Sequence, residues 1–170
     1  MARQPDRERL QPSLLDRLTD DNPGGPPESR ESRMISEDRM REIVRRDLTW
    51  LLNTVNHASQ PDDQYDLSDY PNAEHSVINY GVTDVTGKTS GAKRTAEMRK
   101  AIEVAVKRFE PRIIPSSLVV DVRKSHGSDG VIVDYQVDGT LWLHPTPKKV
   151  LLYTCMDFTT GEVSVEDAKD

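Results

Sequence analysis

The chain has 170 residues, a formal net charge of −6 and 35% hydrophobic residues, which fits one domain whose core leaves part of the sequence outside. The acidic balance argues against a surface that grips nucleic acid along its length, and a lone cysteine, Cys155, rules out an internal disulfide. No run approaches the roughly 18 apolar residues of a membrane span, and the first 30 residues carry no apolar leader, so the expected setting is the cytosol without direct membrane insertion.

Residues 1–35 hold five of the eleven prolines and thirteen charges of mixed, mostly alternating sign. Such a stretch buries too little apolar surface to offset its ordering entropy, and it reads as a mobile arm. Within it, Pro12 and Ser13 introduce Leu14, Leu15, Asp16, Arg17 and Leu18, whose leucines at i, i+1 and i+4 form a short apolar stripe. Residues 12–18 are therefore a docking segment, either for a neighbouring protein or for the chain's own domain, with 22–27 as linker.

Residues 36–165 form the expected single domain, and 166–170 a frayed tail. From Ser36 to Val55, residues Met40, Ile43, Val44, Leu48, Leu51, Leu52 and Val55 fall on one helical face, with Ser36 as N-cap and Glu37 and Asp38 complementing the dipole. The polar stretch 56–69 has four acids in eight residues, Asp62, Asp63, Asp66 and Asp69, but lacks the central glycine and closing glutamate of a calcium loop. Ser76–Gly81 is a short apolar turn closed by glycine. A second helix spans about Thr95 to Phe109, with Met98, Ala101, Ile102, Ala105 and Phe109 on one side, and Pro111 stops it.

After Pro115 the period becomes 2. Strands are expected at 118–122, 131–137, 140–143, 150–158 and 162–165, with turns at 125–130 and 159–161 and a two-residue hairpin turn at Asp138-Gly139. The odd positions Val131, Val133, Tyr135 and Val137 share a face. Two main N-terminal helices packed on a C-terminal antiparallel β-meander make the fold class α+β.

Common chemistry is missing. His57, His75, His126 and His144 are scattered without the i, i+4 spacing of a metal pair, and no Gly-x-Ser-x-Gly elbow, phosphate loop or dinucleotide fingerprint occurs. No cofactor, metal or catalytic residue is expected. A glycosidase needs only two carboxylates about 5 to 9.5 Å apart, but nine aromatics in the whole chain leave few platforms for a sugar cleft. One motif breaks local rules. Phe109-Glu110-Pro111-Arg112 sets an acid at a helix C-terminus, where the dipole disfavours negative charge. Glu110 therefore calls for a specific partner: an internal cation such as Arg112 or a lysine, or a group on another protein.

Ser13-Leu-Leu-Asp-Arg-Leu18, Arg46-Asp-Leu-Thr-Trp-Leu-Leu-Asn-Thr54, Ser76-Val-Ile-Asn-Tyr-Gly81 and Phe109-Glu-Pro-Arg112, followed by a β-meander, together resemble the TssE family over about residues 10–165. These are type VI secretion baseplate subunits, related to a small wedge subunit of contractile phage-tail baseplates. The resemblance implies a compact α+β domain similar to part of the sheath subunit, with a structural role despite a historical lysozyme-like label. It implies a wedge with TssF, TssG and TssK, a starting point for the sheath subunits TssB and TssC, and assembly at the cytoplasmic face of the inner membrane. It maps the family's wedge-core contact onto Glu110, Pro111 and Arg112.

Two readings of different class follow. In the first, a non-catalytic baseplate subunit binds the wedge through Glu110 and Arg112, a baseplate neighbour through residues 10–18, and the sheath by strand addition at an exposed edge. The candidate edge is Val150, Leu151, Leu152, Tyr153 and Thr154, or the terminal strand 162–165. Arg112→Ala then weakens wedge binding by well over tenfold and leaves the domain folded. In the second, a peptidoglycan hydrolase uses Glu110 as its acid.

Overall fold

The computed structural model describes residues 12–19, 23–24, 35–60, 66–84, 91–126, 131–143 and 146–167. The expectations for the rest of the arm, for Asp62 and Asp63, for residues 127–130 of the turn expected at 125–130 and for 168–170 lie outside them, whereas Ser125 and His126 of that turn belong to the preceding strand. The architecture is α+β, with helices in the N-terminal half and one four-stranded antiparallel sheet of order β1-β2-β3-β4 at the C-terminus.

After a short helix α1, Leu14–Leu18, comes the long helix α2, Glu37–Leu52, whose N-cap Ser36 accepts from the Arg39 N–H. Met40, Ile43, Val44, Leu48, Leu51 and Leu52 are all buried, so the apolar face reads as expected. Val55 lies beyond the helix and is exposed; its backbone bridges in parallel to Val82 instead. A one-turn helix α3, Pro71–Glu74, and a 3-10 turn, Val77–Asn79, lead to Gly81. Helix α4, Ala92–Phe109, starts three residues before the expected Thr95 and buries Met98, Ile102, Ala105 and Val106. Its last residue is Phe109, and Glu110 is the C-cap immediately ahead of Pro111.

The strands are β1 Val119–His126, β2 Ile132–Leu141, β3 Lys148–Asp157 and β4 Val163–Asp167. Helix α2 packs against β4, α4 against β1, and the two helices touch each other. The core lies between helices and sheet, where Val133, Tyr135 and Val137 of β2 pair with Met156, Thr154 and Leu152 of β3. All six side chains are buried, the period-2 face read from the sequence.

Several boundaries differ. Asp138-Gly139 is not a turn: β2 runs through it, with Asp138 opposite Leu151 and Gly139 opposite Val150. A Cβ at Gly139 would stand 2.8 Å from Ile113 Cγ2, so glycine is needed there for close approach, not for chain reversal. Of the candidate edge Val150–Thr154, which lies in β3, Leu152, Tyr153 and Thr154 are flanked on both sides, while Val150 and Leu151 pair with β2 alone. The edge strands are β1 and β4. Finally, Glu166 and Asp167 are not frayed: they pair with Tyr153 and Leu152 as the last residues of β4.

Both edges are met by side chains from the helices. The Asn53 side-chain amide donates to Val163 O at 2.8 Å and accepts from Val163 N at 2.9 Å, while Arg99 Nη1 donates to Val120 O at 3.3 Å. Occupying edge groups in this way limits unwanted pairing with other chains.

Candidate functional site

The Glu110-Pro-Arg112 motif leaves α4 as a tight turn, with Ile113 N donating to Glu110 O at 3.1 Å. The chain then runs antiparallel beside the end of β2: Ile114 N donates to Thr140 O at 2.9 Å and Trp142 N to Arg112 O at 2.7 Å. The backbone of the motif is thus fixed by helix and sheet together.

Its side chains close on each other. Arg112 donates to both oxygens of Glu110, from Nε to Oε1 at 2.6 Å and from Nη2 to Oε2 at 2.5 Å, and the Arg112 N–H reaches Oε1 at 3.1 Å. Glu110 is only 2% exposed. Of the alternatives left open by the sequence, the internal cation is the one present: the misplaced acid is held by Arg112 two residues on. Pro111 stays exposed and Arg112 half-buried.

The brace extends to two further elements. Arg112 Nη2 lies 2.6 Å from Asp47 Oδ2 on α2, and Asp47 Oδ1 accepts from Arg46 Nε at 3.0 Å and Nη2 at 2.7 Å. Arg46 in turn clasps Asp16 of α1, Nη1 to Oδ1 at 2.5 Å and Nη2 to Oδ2 at 3.2 Å. Its guanidinium also stacks 4.7 Å over the Trp50 ring. Five charges of alternating sign, Asp16, Arg46, Asp47, Arg112 and Glu110, therefore tie the docking segment, α2 and the end of α4 into one ladder. Burial opposes the charge on Arg112, but its bonds to Glu110 and then Asp47 outweigh that and raise its pKa.

Arg46 and Asp47 escaped the sequence reading as site residues. They sit beside Leu48 on the expected helix, but their partners lie 30 and 65 positions away, and periodicity carries no information on such pairings. The available signal was local: an Arg-Asp pair one turn before Trp50.

The docking segment rests on its own domain. Ser13 caps α1 and its hydroxyl donates to Asp16 Oδ2, presenting the carboxylate to Arg46. The clasp from Arg46 dominates over the cost of burial, and with help from Ser13 holds the Asp16 carboxyl down at about 2. Because the folded-state value is depressed, the contact's contribution is complete above roughly pH 4 and is lost as pH falls through the folded pKa. Followed by carboxyl-carbon NMR, Asp16 is expected to titrate near 2 in the wild type and to rise toward the ordinary value of roughly 3.9 in Arg46→Ala, where the bond to Ser13 remains. An Asp16 midpoint unmoved by that substitution would remove Arg46 as its partner.

Between segment and domain lies a cavity of about 270 Å³, walled by Ser13 and Leu15 on one side, Asp47, Trp50 and Leu51 of α2 on another, and Tyr80, Phe109, Glu110 and Arg112 on the third. Tyr80 and Phe109 meet edge to face at 5.1 Å. Arg112 Nη1 is buried with no hydrogen-bond partner among the described residues, an uncommon state for a charged donor. As a reaction centre the arrangement is poor: Arg112 Nη2 touches both Glu110 and Asp47, so a nitrogen fills the gap in which a glycosidase would hold a sugar between two carboxylates. Leu14, Leu15 and Leu18 are 69%, 51% and 76% exposed, so the segment meets its domain chiefly through Asp16, with Leu15 the one member of the apolar stripe at the cavity wall.

Among the described residues no group of three or more His, Cys, Asp or Glu side chains could hold a metal ion, and no helix is long and apolar enough to cross a membrane. No curated protein and no solved structure matches the chain. A family model does: that of the baseplate wedge protein gp25 covers residues 38–146, from the first turn of α2 past the end of β2. That span takes in Asp47, Gly81 and the Glu110-Pro-Arg112 turn, and it fits the family to which the four sequence motifs pointed. The chain belongs to the baseplate wedge protein gp25 family.

Proposed function

We propose that this chain is a TssE-type subunit of a type VI secretion baseplate, a non-catalytic structural piece that joins a wedge of TssF, TssG and TssK. The family match over residues 38–146 carries the reading. The subunit works in the cytoplasm at the inner membrane, where the wedge contact lies over the Glu110–Arg112 turn. Glu110 itself is buried, so the turn offers exposed Pro111, the half-buried Arg112 and the cavity beside them. A partner acceptor entering that cavity would supply the bond that Arg112 Nη1 lacks. Sheath assembly with TssB and TssC begins by strand addition at an edge strand, β1 or β4, which pair with a neighbour on one side and offer ladder groups on the other.

The hydrolase alternative is disfavoured by chemistry. A general acid must carry a proton to the glycosidic oxygen, and both Glu110 oxygens are spent on a guanidinium. The test is co-expression of the tagged full-length chain with the three wedge subunits, beside a glycan-release assay on peptidoglycan. Co-purification of the wedge with no sugar release is expected. Sugar release that disappears in Glu110→Gln would overturn the reading, and failure to retain any of the three wedge subunits would remove the wedge assignment.

A further inference from the structure

Among the described residues, every hydrogen bond and ion pair from segment 12–19 to the rest of the domain runs between Asp16 and Arg46. A five-residue helix does not hold itself together in water, and its leucines are more than half exposed, Leu15 alone reaching the cavity wall, so the polar seat of the segment is this one clasp. The receiving group is built for a carboxylate. Arg46 offers two nitrogens in a fork, its plane is fixed by stacking on Trp50, and Asp47 holds it from the other side. The ligand side is equally defined: Ser13 caps the helix and positions the acid three residues on.

We propose that Arg46 on Trp50 is a receptor site for an acidic peptide that begins a helix in the pattern Ser-x-x-Asp, and that the chain's own segment 12–19 is its resident, displaceable ligand. A partner segment of the same chemistry takes the seat by exchanging one carboxylate for another. The exchange removes Ser13 and Leu15 from the cavity wall and releases the short helix. Because the clasp is half-exposed, with side chains 31% and 15% accessible, occupancy by the resident segment falls as salt rises. The site needs no baseplate partner to be examined, so its test is independent of the function proposed above.

The probe is the acetylated and amidated peptide Pro-Ser-Leu-Leu-Asp-Arg-Leu-Thr, titrated into the full chain. Trp142→Phe is the background, since it leaves Trp50 as the one tryptophan reporter, and the Arg46 Nε–H resonance is a second readout. In Asp16→Asn the resident ligand is disabled, and the peptide is expected to bind at least tenfold more tightly than to the unaltered chain. The peptide carrying Asn in place of Asp is expected to bind neither, and Arg46→Gln to abolish binding. Equal affinity for the two chains, indifference to the Asp-to-Asn change in the peptide, or no saturable binding to Asp16→Asn would each overturn the proposal. An Arg46 Nε–H resonance identical in the unaltered and Asp16→Asn chains would do the same without any peptide.

Discussion

Arg112→Ala is expected to lower the stability of the isolated domain by about 3–5 kcal/mol, the usual cost of breaking a buried ion pair by removing one partner. The Glu110 side chain is 3% exposed and takes three of its hydrogen bonds from Arg112. Without the guanidinium a carboxylate remains out of water with its main donors gone, and Asp47 loses one of its two cations. At roughly 2–4 °C per kcal/mol for a domain of this size, the melting temperature should fall by about 10 °C. A double variant, Glu110→Leu with Arg112→Met, should lose much less, because it deletes the charge that would otherwise be stranded. Thermal and urea denaturation of the three proteins decide the matter. If Arg112→Ala melts within about 2 °C of wild type, the motif is not a brace, and its worth must lie in a partner contact. The sequence reading expected that second outcome, a folded domain with weakened wedge binding. The structure moves the expectation, because it shows where the partner of Glu110 already is.

That shift marks what the sequence could carry. Local periodicity located the buried faces of α2 and β2 residue by residue, since Leu48 and Leu52 or Val133 and Tyr135 announce themselves by spacing alone. The oddness of an acid at the end of α4 was legible too, and Arg112 was among the partners that could answer it, beside a lysine or a group on another protein. The ladder as a whole was not. Asp16, Arg46 and Asp47 are ordinary charges on ordinary helical turns, and they become a site only when the fold brings α1, α2 and the end of α4 together. The errors in the sheet have a related origin. Asp138-Gly139 reads as a hairpin turn because glycine commonly serves reversal, yet here the constraint on Gly139 comes from Ile113 lying against the strand, a contact between segments 26 positions apart. Likewise Val150–Thr154 looks like any strand, and whether a strand is an edge depends on β4 returning beside it. Element type was written locally, whereas neighbourhood was written in tertiary contacts.

Gly81→Ala is expected to be as harmful as the loss of Arg112, for a reason that is purely backbone. Gly81 has φ +118°, and a Cβ built there would lie 2.2 Å from Thr54 O and 2.8 Å from Thr54 C. Neither clash can be relieved by a rotamer, since the obstructing atoms are main chain. Thr54 O is also the acceptor for Val82 N at 2.8 Å, and Val82 O returns a bond from Asn56 N at 2.9 Å, so the stretch after α2 and the stretch after Gly81 are stitched together at the point where the methyl would enter. Forcing them apart breaks the Val55–Val82 bridge and exposes Val82, which is now buried. Strain at such a position costs on the order of 1–3 kcal/mol, and loss of the two bonds adds to it, so a total near 3 kcal/mol or more is expected in urea denaturation. The damage should also reach the cavity, because Tyr80 immediately precedes Gly81 and packs against Phe109; a change in the Phe109 ring resonances would report it. A Gly81→Ala protein within about 1 kcal/mol of wild type would mean that residues 76–83 open independently of the core. The Tyr80 wall would then be a movable part of the cavity, not a fixed one.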